Sequence, residues 1–228
     1  MKRISALGVA LCAVIALTGA FAPASASATV LCSKQVTPCG ANVYAAETQV
    51  KAALPAMTTT VIETELVTVT CLTSRIGIKT SAVGGKGLSV PGRVNEFALE
   101  QCTVPDGLGG TESCAVKPVN YGAAELEQWT AFFEQGNNGN GKFGISTSNL
   151  GNFGFSVLCN QKVEKINCTF LNGTSSTVTG GPGTPAATIT GPQKMKPVAG
   201  GKKCPAAEAT WKFTWAVSVP AAFYLEAE

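Results

Sequence analysis

From Trp211 to Val219 the chain alternates in polarity. Trp211, Phe213, Trp215, Val217 and Val219 fall on one side, and Lys212, Thr214, Ala216 and Ser218 on the other. A period of two residues belongs to a strand with one face in a core and the other in water. Two tryptophans and a phenylalanine on one face bury a large apolar area, worth about 2 kcal/mol per side chain before entropy. Exposed, Trp211 and Trp215 would suit the face of a sugar ring. Their alternation with Phe213 and the valines assigns them to a core instead. Cys204 stands just ahead of this strand, in place to tie it to a distant one.

The chain opens with a different pattern. Lys2 and Arg3 precede an apolar run from Ile4 to Leu17, and Ala26-Ser27-Ala28 has the form of a leader-peptidase site. Residues 1–28 read as a signal peptide and 29–228 as one secreted β domain. The apolar run is short for a membrane span, so no span is expected once the leader is removed. Without Lys2 and Arg3, 15 basic residues remain against 14 acidic ones. Near-neutrality argues against a nucleic-acid partner. A low charged fraction, with many Gly, Thr, Ser and Val, suits a secreted β protein.

Eight cysteines remain after Cys12 leaves with the leader: Cys32, Cys39, Cys71, Cys102, Cys114, Cys159, Cys168 and Cys204. An even count in an exported chain reads as four disulfides. Turn signals between neighbours suggest Cys32–Cys39, Cys102–Cys114 and Cys159–Cys168, which leaves Cys71–Cys204. There is no C-x-x-C pair and no histidine, so neither a metal site nor a cofactor is expected.

Between these markers the reading is mostly strand and turn. Tyr44–Leu54 has a helix-favouring composition but also alternates at Val50, Ala52 and Leu54. Thr58–Leu72 reads as a strand, with Ile76–Thr80 its continuation or partner. Gly84–Gly87 reads as a turn, and Arg93–Val104 with Ser113–Tyr121 as a hairpin. Ala123–Glu134 places Leu126, Trp129 and Phe133 at helical spacing. The loop signal in Gly136–Gly141 and the alternation of Phe143, Ile145 and Thr147 favour strand–loop–strand. Phe153–Cys159 with Cys168–Leu171 forms another hairpin, Asn172–Gly183 an exposed loop, Ala187–Thr190 a short strand and Gln193–Lys203 a basic loop. The fold class is all-β: an antiparallel β-sandwich or barrel stapled by disulfides.

Catalytic patterns are few. Without histidine, Ser-His-Asp and Cys-His arrangements are excluded. Gly144–Ser148 begins like a nucleophile elbow but lacks its final glycine and lies in a strand pattern. Gly136–Lys142 matches G-x-x-x-x-G-K, yet Phe143 stands where a Ser or Thr belongs. Glu63 and Glu65, or Glu125 and Glu127, would sit about 6.5–7 Å apart on a strand face, within glycosidase range. A solvated face explains such pairs equally well. Lys194, Lys196, Lys202 and Lys203 form the one basic cluster, able to meet an anionic wall polymer or a lipid headgroup. Asn167-Cys168-Thr169 and Asn172-Gly173-Thr174 fit the glycan-acceptor pattern.

Val30-Leu31-Cys32 with Thr37-Pro38-Cys39, Thr68-Val69-Thr70-Cys71, and Cys204-Pro205 leading into Ala209-Thr210-Trp211 form a layout. It resembles a group of secreted actinobacterial proteins with no established activity. The resemblance implies export, disulfides and a β fold, and no functional residues. The expected role is that of a secreted, non-enzymatic β protein binding or coating at the cell surface. Its partner would be a cell-wall polymer, a glycan or a protein, met through loops 136–141 and 172–183. A carboxylate hydrolase and a small-ligand carrier with an apolar cavity are the alternatives.

Overall fold

The computed structural model describes residues 28–86, 89–118, 129–147, 154–160, 165–171, 176–182, 187–200, 204 and 207–227. In chain order the strands are β1 (Ala28–Cys32), β2 (Gln49–Ala53), β3 (Thr60–Glu63), β4 (Thr68–Thr80), β5 (Gly84–Lys86) and β6 (Val90–Pro105). They continue with β7 (Thr111–Pro118), β8 (Trp129–Gln135), β9 (Gly141–Thr147), β10 (Gly154–Asn160), β11 (Lys165–Leu171) and β12 (Ser176–Thr179). The last are β13 (Thr188–Thr190), β14 (Gln193–Gly200), β15 (Ala209–Lys212), β16 (Thr214–Val219) and β17 (Tyr224–Ala227).

All strands but β1, β5 and β17 close a barrel in which every pairing is antiparallel. The ring is simpler than its strand count suggests. β3 and β2 flank successive parts of β4, and β7 and β8 flank opposite ends of β6. β9 with β10, β11 with β12, β13 with β14 and β15 with β16 also lie end to end. The barrel therefore has eight strand positions, each hydrogen-bonded to its neighbours in the chain. It is an up-and-down meander closed by β15 on β3 and β16 on β2.

The inner face is apolar and full. Trp129, Trp211, Trp215, Phe133, Phe143, Phe155 and Phe170 are fully buried. Trp211 meets Phe155 at 5.4 Å and Phe97 at 6.0 Å between ring centroids, contacts that cross the barrel between strand positions three apart. A ligand carrier needs that space empty, so these contacts remove its basis. Trp211 Nε1 donates to Thr60 Oγ1 (2.8 Å), which donates to the Lys212 carbonyl (2.9 Å). Trp215 Nε1 donates to Ser74 Oγ (2.8 Å). Each indole thus buries its ring without orphaning its N–H. On the outer face, Lys51, Lys79, Arg93, Glu100, Lys194 and Lys212 are exposed. A membrane barrel has an apolar outer face, so the described wall is built for water.

A small sheet, β17-β1-β5, plugs one end. Leu31 and Leu225 join the main core, while Val30, Cys32 and Tyr224 form a second core with Cys39. Ala28, expected to end the leader, is the first residue of β1 and pairs with Lys86; residues 1–27 lie outside the described residues.

Several local expectations change. Tyr44–Leu54 resolves toward alternation, with Val50 and Ala52 buried on β2. Trp129, Ala131 and Phe133 are buried on β8, so the helical spacing was coincidental; residues 119–128 lie outside the described residues. Thr58–Leu72 contains a hairpin turn in place of an unbroken strand. Thr64 Oγ1 accepts the N–H groups of Leu66 (3.2 Å) and Val67 (2.9 Å), making the turn without Gly, Pro or Asn. Gly84–Lys86 is strand β5, because β1 offers it a partner. Ser176–Thr179, expected in a loop, is β12, with Ser176 and Val178 buried. Gln193–Gly200 is β14, with Gln193 and Met195 buried and Lys194 and Lys196 outside. The closing strand breaks at Phe213, and Val219 turns out to 40% exposure where β16 shifts register against β2.

The disulfides are Cys32–Cys39, Cys71–Cys102, Cys114–Cys159 and Cys168–Cys204. Three of the expected pairings are corrected. Cys71 and Cys102 are partners across β4–β6, and Cys114 and Cys159 across β7–β10. Cys159 faces Ile166, and Cys168 faces Val157, so those two cysteines are offset within their hairpin. Four intramolecular disulfides suit an oxidising environment outside the cell.

Candidate functional site

The expected site residues do not converge. Glu63 lies outside on β3 and pairs with Lys212, and Glu65 stands exposed in the 64–67 turn. β3 ends at Glu63, so the two do not share the strand face on which that pairing rested; Glu125 and Glu127 lie outside the described residues. Asp106 holds its own turn, its Oδ1 accepting the N–H groups of Leu108 and Gly110, both at 2.8 Å. Gly144 is in mid-strand on β9, opposite Phe132. Lys194 and Lys196 are exposed on β14, while Lys202 and Lys203 lie outside the described residues. Among the described residues no group of three metal-ligating side chains converges.

Loop 136–141 is docked rather than free. Leu225 N–H donates to the Gly139 carbonyl (3.0 Å), Gln35 Nε2 to the Asn138 carbonyl (2.9 Å), and Gly180 N–H to Asn140 Oδ1 (3.0 Å). It joins the barrel to its plug through Gly139 and Asn140, while Gly136, Asn137 and Asn138 remain exposed. Of loop 172–183, residues 172–175 and 183 lie outside the described residues.

A different cluster comes together on the outer wall where β2, β4 and β6 run side by side. Outward residues on these strands are forced into contact by register. Arg75 on β4 sits between two glutamates of β6. Its Nε is 2.6 Å from Glu96 Oε1, and its Nη1 and Nη2 grip both oxygens of Glu100 at 3.0 and 2.9 Å. The hydrogen bonds from Arg75 hold the Glu100 carboxyl below the usual carboxylate range. Folding therefore favours ionised Glu100. Its contribution is present above the ordinary value of 4.5 and is lost as pH falls through the depressed folded value. Glu100→Gln should lower stability by less than about 1 kcal/mol at neutral pH, since the pair is solvent-screened. Urea melts of both proteins across pH should converge in acid; a gap that persists there contradicts the ion pair as its cause.

Toward the plugged end the charge balance changes. A groove is lined by Glu47, Lys79, Ser81, Arg93, Val94 and Asn95. Lys79 pairs with Glu47 just ahead of β2. Asn95 and Gln49 exchange amide hydrogen bonds of 2.9 and 3.2 Å and form one wall. Arg93 is the Cα partner of Lys79. Like charges directly opposed across a strand pair are unfavourable. Glu47 compensates only Lys79, and among the described residues no carboxylate pairs with Arg93. The groove thus offers the Arg93 guanidinium and the Ser81 hydroxyl, beside the Lys79–Glu47 ion pair and the mutually bonded Asn95 and Gln49 amides. These are donors for an anionic, hydroxyl-rich ligand. The sequence hides this set because it is spread over three strands whose register must be known. The visible traces are the outward positions of Lys79 and Arg93.

Comparison of the chain with family models, with curated proteins and with solved structures finds no match to any of them.

Proposed function

We propose that the leader exports this chain and that the folded barrel works as a non-enzymatic binding protein at the cell surface, with the Lys79–Arg93 groove as its contact and an anionic wall polymer as its partner. Arg93 carries the reading. Its neighbour Lys79 is compensated by Glu47 and the nearby Arg75 by two glutamates, so Arg93 is the charge on this wall that a bound anion would answer. The four disulfides and the resemblance to secreted actinobacterial proteins support export, and the ring-filled interior turns attention to the outer wall.

The test is retention of the mature protein on immobilised polygalacturonate, with an uncharged glucan as control. The expected result is salt-sensitive retention on the charged polymer alone, weakened tenfold or more in Arg93→Ala and Lys79→Ala. These exposed substitutions should leave folding within about 0.5 kcal/mol of wild type. Equal retention of wild type and both variants would overturn the groove assignment, and no retention of wild type would overturn the partner.

A further inference from the structure

Four half-cystines lie side by side on neighbouring strands. Cys71 on β4 is the Cα partner of Cys102 on β6, Cys102 that of Cys114 on β7, and Cys114 that of Cys159 on β10. Cys71, Cys102 and Cys159 belong to the main core and Cys114 packs against it, so the row runs along the inner face. Bonds join its outer members, Cys71–Cys102 and Cys114–Cys159. The middle pair, Cys102 and Cys114, stands in the same relation without a bond.

Directly opposed residues of an antiparallel pair have Cβ atoms about 4.5–5.5 Å apart, and a disulfide needs about 3.5–4.5 Å. A small approach of β6 and β7 therefore suffices to link Cys102 to Cys114. Access is unequal. Cys71 and Cys159 are 0% exposed and Cys102 is 2% exposed, whereas Cys114 is partly exposed. An external thiol reaches the row at Cys114.

We propose that the row is an exchange track. A two-electron donor of the dithiol class, such as the active site of a thiol–disulfide oxidoreductase, converts the barrel into a second covalent form held by Cys102–Cys114. One thiolate of the dithiol attacks Cys114 Sγ; the bond to Cys159 breaks, and Cys159 leaves as a thiolate that takes up a proton. The second thiolate of the dithiol then attacks the mixed disulfide, leaving as an oxidised dithiol and freeing the Cys114 thiolate. That thiolate attacks Cys102 Sγ; the bond to Cys71 breaks, and Cys71 leaves as a thiolate and is protonated. In sum one dithiol is oxidised and one protein disulfide reduced. Cys102–Cys114 remains, and Cys71 and Cys159 are thiols. The ties from β4 to β6 and from β7 to β10 are exchanged for one tie inside the β6–β7 hairpin. The barrel loses its β4–β6 and β7–β10 links, Cys168–Cys204 is untouched, and the β6–β7 hairpin gains a bond it did not have.

The test uses the oxidised mature chain with one molar equivalent of dithiothreitol, quenched in acid and blocked with iodoacetamide. A Glu-specific protease separates Cys102 from Cys114 by cutting after Glu112. The expected principal two-electron-reduced species has the Cys102 and Cys114 peptides joined, with Cys71 and Cys159 alkylated. A species that keeps Cys71–Cys102 and carries alkyl groups on Cys114 and Cys159 overturns the proposal. So does reduction confined to Cys168–Cys204 or Cys32–Cys39. A double variant, Cys71→Ser with Cys159→Ser, gives a second reading. It should oxidise in air to Cys102–Cys114, and two free thiols there would contradict the track. If the variant does not fold, the wild-type measurement still decides.

Discussion

Trp211→Ala is expected to cost about 3–5 kcal/mol, the range for truncating a buried tryptophan. Trp211 is fully buried on β15 and touches Phe97, Phe155, Phe213 and Trp215, so no single neighbour can collapse into the hole. A second loss is polar, because Thr60 Oγ1 loses the indole donor at 2.8 Å. Trp211→Phe separates the two contributions. It keeps much of the volume and should cost roughly 1–2 kcal/mol. Denaturant midpoints at constant slope measure both. A stability-neutral Trp211→Ala would return this side chain to the surface and revive its use as a sugar platform.

Gly141→Ala should destabilise by about 2–3 kcal/mol, a large effect for one added methyl. A Cβ built there would lie 2.1 Å from the Glu134 carbonyl oxygen and 2.5 Å from Leu225 Cδ1. Leu225 could turn aside, but the carbonyl is backbone, so the β8–β9 hairpin must shift. That hairpin carries the loop that docks on β17 through Gly139. The expected signature is loss of amide exchange protection at Leu225 and Phe223 before the barrel strands open. Unchanged protection there, with a full loss of stability, would place the damage elsewhere.

What was readable from the residues depended on range. Trp211, Phe213, Trp215 and Val217 announce their face by alternation, and the structure buries all four. The β10–β11 hairpin was visible from its two strands and the polar segment between them. Thr64 makes a turn by a hydroxyl contact that leaves no Gly or Pro signal. β5, a run of Gly-Gly-Lys, is a strand only because β1 lies beside it. The cysteine pairing failed for the same reason. Cys102 and Cys114 do face each other, but so do Cys71 and Cys102, and local spacing cannot rank the two. The Lys79–Arg93 groove was out of reach, since it exists only once β2, β4 and β6 share a register.

One line of the barrel, where β15 and β16 meet β3 and β2, is crossed by neither a hairpin connection nor a disulfide. Every bond joins residues no more than 45 apart in the chain, and none crosses from β2 or β3 to β15 or β16. The expected Cys71–Cys204 bond would have sealed that line. Instead it is shut by ladder hydrogen bonds, by the Lys212–Glu63 pair and by two tryptophans reaching for Thr60 and Ser74. Covalently the molecule is a stapled ribbon, and only non-covalent contacts along this seam make it a cylinder. With every staple intact, the ribbon can unroll without breaking a bond, so under oxidising conditions heat or denaturant should open the molecule first along β15 and β16.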